Sequence, residues 1–79
     1  MLETFDPQPG TQIVIVKNTP YTLVQDETNP GQWQIIRGGT ILGWLHREEP
    51  VGWGVWPFEE GCTLIQKAGS PGQALLEAL

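Results

Sequence analysis

The sequence predicts a mainly β fold, α+β by strict class. It is a small antiparallel meander of five or six strands curled into a barrel-like sheet, with one short C-terminal helix. Three observations predict it. Short runs rich in β-branched and aromatic residues recur along residues 11–66, each ended by Gly, Pro, Asn or charged residues. Ten Gly and seven Pro in 79 residues are too many for a helical bundle. Residues 70–79 alone carry a helix start signal followed by Ala and Leu.

Residues 1–10 read as an extended arm, because Pro7 and Pro9 block helix and Gly10 marks a stop. Residues 11–16 (Thr-Gln-Ile-Val-Ile-Val) end in a continuous apolar run, which suits a strand covered on both faces. Asn18-Thr19-Pro20 reads as a turn, and residues 21–25 as the second strand. Asn29-Pro30-Gly31 fits a type II turn, with Pro setting φ at the second position and Gly supplying positive φ at the third. Residues 32–37 alternate like a half-buried strand; Gly38-Gly39 then predicts a tight hairpin to residues 40–46. Residues 47–50 turn the chain into a fifth strand over 51–58, where Pro57 marks an edge or exit. A turn at 59–61 leads to a sixth strand over 62–66. Ser70 is an N-cap, Pro71 suits the first helical position, and Gln73 completes a capping box. Leu75, Leu76 and Leu79 form the stripe by which so short a helix docks on the sheet.

A chain of 79 residues allows one domain, which buries about 60–65% of its unfolded surface. At 39% hydrophobic residues, with four Trp, it supports a core rather than disorder. Four basic residues against nine acidic ones make no patch for phosphate neutralisation, which argues against general nucleic-acid binding. The longest apolar run, residues 13–16, is far short of the roughly 20 that cross a bilayer, so no membrane association is expected. The N-terminus lacks the basic start of a secretory signal, and Cys62 has no second cysteine to bridge. A reducing cytoplasm is the expected compartment. Cys62 and His46 are too few for a zinc site, and no metal or cofactor is expected. Adjacent carboxylates at 48–49 and 59–60 point apart in extended chain, and Cys62 lacks a positioned base, so no catalytic residue is assigned.

Two features suggest function. The first is the set Trp33, Trp44, Trp53 and Trp56, crowded into neighbouring strands. Alternation points Val51, Trp53 and Val55 one way and Gly52, Gly54 and Trp56 the other. The bare track at Gly52 and Gly54 would let a ring such as Trp44 lie on backbone, or admit a ligand or partner side chain. Trp44 or Trp56 is expected to be exposed as a contact anchor, with Trp53 beside them. The second feature follows from the meander. Its turns alternate between two ends, so Asp26 and Glu27 share a rim with Glu48 and Glu49, beside His46 and Arg47. His46 reads as a surface residue at a strand end.

These features suggest a non-enzymatic protein-binding module, accessory or inhibitory in kind, that engages a partner with a basic surface. Some short acidic β proteins of this sort are encoded by phages or mobile elements, an association rather than a physical argument. A homodimer through an exposed strand is a sub-case. The alternative is a small-ligand binder with a Trp-walled pocket for a nucleotide-like molecule.

Overall fold

A computed structural model describes residues 2–79. Six strands run in sequence: β1 (Thr11–Val16), β2 (Thr19–Gln25), β3 (Gln32–Arg37), β4 (Thr40–Arg47), β5 (Trp53–Pro57) and β6 (Ile65–Ala68). A 3-10 turn (Leu2–Thr4) precedes them, and helix α1 (Pro71–Ala78) follows. The sheet order is β1-β2-β3-β4-β5-β6 and every neighbouring pair is antiparallel, which is the expected meander. The sheet is not closed into a barrel, because β1 and β6 remain as two ends.

Turn chemistry sets the register. Lys17 (φ 52°) and Asn18 (φ 65°) form the two-residue loop between β1 and β2. Both are left-handed, the pair of conformations that matches strand twist. This moves the turn one residue earlier than expected and places Thr19 and Pro20 inside β2. Gly38 (φ 57°) and Gly39 (φ 80°) form the predicted hairpin loop between β3 and β4. Between β2 and β3 the chain departs from type II. Gly31 is not in a positive-φ conformation. The Asn29 side chain instead accepts the Gly31 N–H at 3.2 Å, and the Gln32 N–H donates to Asn29 O at 3.0 Å. An Asx side chain thus does locally what glycine freedom was expected to do.

One face of the sheet holds the core. Val14, Val16, Tyr21, Leu23, Trp33, Ile35, Leu45, Trp53 and Val55 are all buried on it. Helix α1 covers the β4–β6 part of that face and also packs on the N-terminal turn. Ser70 caps the helix as predicted, its hydroxyl accepting from Gln73 N–H at 3.1 Å. The Gln73 side chain reaches Gly69 N–H rather than that of Ser70 itself. The stripe against the sheet is Ala74, Leu75 and Ala78, while Leu76 turns out to solvent. Leu79 packs against the core as its partly buried cap.

Four segments differ from expectation. The arm is not wholly extended, since Leu2–Thr4 turns and rests on α1. β1 is covered on one face only, and Ile13 and Ile15 are 69% and 63% exposed on the other. An all-apolar run cannot reveal which of its faces lacks a cover. β5 starts at Trp53, not Val51, because Gly52 adopts φ 111° and its carbonyl accepts from Glu48 N–H at 2.9 Å. β6 falls at residues 65–68 rather than 62–66, leaving Cys62 in the preceding loop. No helix among the described residues is long and apolar enough to cross a membrane.

Candidate functional site

Strand parity divides the four indoles into two pairs. Trp33 and Trp53 face the core, with ring centroids 5.9 Å apart. The Trp33 Nε1–H donates to Gln8 O at 3.0 Å, so the N-terminal arm satisfies this indole and ties itself across the core. The Arg47 guanidinium lies 4.6 Å from the Trp53 ring centre and shields it from water. Trp53, expected among the contact residues, is 9% exposed and belongs to the core.

Trp44 and Trp56 lie opposite each other on the outer face of β4 and β5, where α1 does not reach. Trp56 is 46% exposed, as the anchor expectation required. Trp44 is half-buried and meets the Phe58 ring edge-on, with centroids 5.7 Å apart. Phe58, itself exposed, was missed in the sequence, yet it stands two residues after Trp56 and shares its parity.

Gly54 is the bare position that alternation predicted, but Trp44 does not lie on it. His46, its partner across the strands, does. A Cβ at Gly54 would stand 2.9 Å from His46 Cε1, 2.8 Å from Glu48 Oε2 and 2.8 Å from Ile65 O. The imidazole is sandwiched between that backbone and Trp56, whose ring centre is 3.9 Å away. His46 is therefore buried at 6% exposure, not a surface residue, and its Nε2 has no hydrogen-bond partner. Only knowledge of the register, which places His46 opposite a glycine, could have shown this. Gly52 is not part of a bare track, because it lies in the turn before β5.

The turns after β2 and β4 share one end, and Arg47 N–H donates to Gly31 O at 2.9 Å to join them. The four carboxylates are not equivalent. Asp26 accepts the Thr28 N–H and hydroxyl, each at 2.9 Å, and these bonds hold its carboxyl below the usual range. Glu48 turns away from the rim and accepts the Lys67 N–H, bracing β6. Glu27 and Glu49 are exposed at this end of the sheet. Glu59 and Glu60 are exposed next to Phe58 at the opposite end of the sheet.

Comparison with protein-family models, with curated proteins and with solved structures finds no match. Chemistry must therefore be read from the chain itself. The half-buried Cys62 thiol donates to Leu42 O at 3.4 Å, and burial pushes its pKa up. We expect alkylation at pH 8 at least about fivefold slower than for free cysteine, because thiolate is scarcer and less accessible. A rate equal to the free amino acid would show the thiol to be solvated. Among the described residues, no group of three or more His, Cys, Asp or Glu is placed to hold a metal ion. Two surface clefts, lined by Leu2, Ser70, Gly72, Gln73 and Leu76 and by Leu2, Phe5, Ile13, Val14 and Ile15, contain no tryptophan.

Proposed function

We propose that this chain is a non-enzymatic protein-binding module, accessory or inhibitory in role, that works in a reducing compartment. Its contact surface is the outer-face patch of Trp44, Trp56 and Phe58. The partner presents a basic surface that meets Glu59 and Glu60 beside the patch, or Glu27 and Glu49 on the rim.

The observation that carries this reading is the exposure of Trp56, 46% open to solvent while stacked on a buried imidazole. A large ring fixed in advance loses little conformational freedom when a partner covers it. Aromatic anchors of this kind dominate interface energies. The acids add encounter rate and salt sensitivity rather than most of the affinity. The nucleotide-pocket alternative draws no comparable support, since two indoles are sealed in the core and neither cleft is walled by Trp.

The test is affinity capture with the wild-type chain and with Trp56→Ala, followed by titration of any purified partner. Because Trp56 is half out in water, Trp56→Ala should keep its fold. It should lose about 2 kcal/mol or more of binding, roughly 30-fold in Kd. Association with the wild type should slow as salt rises. A partner held equally by both chains would overturn the proposal. So would a melting shift with nucleotides that Trp56→Ala does not alter.

A further inference from the structure

The two ends of the open sheet differ in a way that bears on assembly. β6 is blunted: it has four residues, carries Lys67 at φ 62°, and pairs with β5 through an irregular register. The Lys67 N–H is already taken by Glu48. Charge, kinks and shortness are the usual protections of an edge strand. β1 has none of them. It runs six residues without charge, proline or bulge, in unbroken register with β2.

Hydrogen-bond parity shows which groups of β1 are free. Gln25 N–H donates to Gly10 O at 2.9 Å, one step beyond the Thr11–Val24 pair. In an antiparallel ladder the bonded pairs alternate. Gln12, Val14 and Val16 therefore exchange bonds with Leu23, Tyr21 and Thr19. The two-residue loop at Lys17-Asn18 requires the same parity at Val16 and Thr19. The N–H and C=O groups of Thr11, Ile13 and Ile15 are thus directed to the open edge, and no described hydrogen bond engages them. The side chains of Ile13 and Ile15, on the outer face, are 69% and 63% exposed.

We propose that β1 pairs with β1 of a second copy, antiparallel about a two-fold axis, joining two sheets into one. With Ile13 opposite Ile13 of the other copy, and Thr11 opposite its Ile15, each outward group finds a complement and the isoleucines meet on one face. Two observations favour a second copy over a foreign strand. The edge is its own complement under two-fold symmetry, which closes the assembly. The blunted β6 disfavours head-to-tail growth. This proposal does not depend on the aromatic patch.

Sedimentation equilibrium on the full chain tests it, together with amide exchange. The wild type should be a dimer of twice 8.8 kDa. Amides of Ile13 and Ile15 should be protected in the dimer and exchange rapidly on dilution. Ile13→Lys, at an exposed position, should leave the circular dichroism unchanged and raise the dimer dissociation constant at least about 100-fold. Trp56→Ala should leave the dimer intact. A wild-type monomer across the concentration series would overturn the proposal, as would a dimer indifferent to Ile13→Lys or one whose Ile13 and Ile15 amides exchange freely.

Discussion

Trp33→Ala is expected to cost about 3–5 kcal/mol, the range for emptying a large aromatic site in a core. Marginal stabilities of about 0.05–0.15 kcal/mol per residue give a chain of 79 residues only about 4–12 kcal/mol in total. The variant should therefore melt at least about 12 °C lower, or be unfolded at room temperature. The reason is local and specific. Trp33 is 2% exposed at the centre of the inner face, packed on Trp53. Its indole N–H also holds Gln8 O and with it the arm. Trp33→Phe separates these two contributions. It keeps most of the ring contact but loses the donor, so it should cost about 1–3 kcal/mol, partly through the indole volume it also removes. In that variant the arm should lose protection against amide exchange while β3 and β4 keep theirs. Equal melting temperatures for Trp33→Ala and the wild type would refute this account of the core. Calorimetry with the Trp56→Ala chain alongside provides the contrast, since that indole is 46% exposed on the outer face while Trp33 is sealed in the core.

Much of this arrangement was legible because the signals were short-range. Gly38-Gly39 dictated a hairpin whose strands appear at the expected residues, and Ser70-Pro71 dictated where the helix begins. Alternation along residues 53–56 put Trp53 and Trp56 on opposite faces, but it did not show that the face of Trp53 is the buried one. Other properties belong to pairs of distant residues and leave no local trace. Closure could not be read, because it depends on whether β1 meets β6 and not on either segment alone. The exposure of Ile13 and Ile15 is likewise a matter of which face of the sheet the core and α1 occupy, since these side chains lie on the opposite face. His46 was misplaced at the surface because its burial is the joint product of Gly54 across the strands and Trp56 above it. The two turns that carry the rim acids share one end of the sheet, but Asp26 and Glu48 spend lone pairs on backbone N–H groups that sequence spacing alone did not assign.

The glycine opposite β5 at the other end of the site is held more tightly still, and Gly43→Ala should show it. A Cβ there would lie against the Trp56 carbonyl oxygen closer than real carbon–oxygen contacts allow. It would also stand 3.1 Å from Pro57 Cα and 2.9 Å from Cys62 Sγ. Two of these three neighbours are β5 backbone, which cannot rotate away as a flexible side chain would. The methyl must push β5 from β4, between which Trp44 and Trp56 face each other. A cost of about 2–3 kcal/mol is expected, or a fall of roughly 10–20 °C in melting temperature. The aromatic patch should loosen with it, seen as a weaker near-ultraviolet circular dichroism signal below the transition. Cys62→Ala in the same chain removes only the sulfur contact and should recover little of the loss. Full recovery by that second substitution would place the strain on the thiol, and the close approach of the β4 and β5 backbones would then not be what positions Trp56.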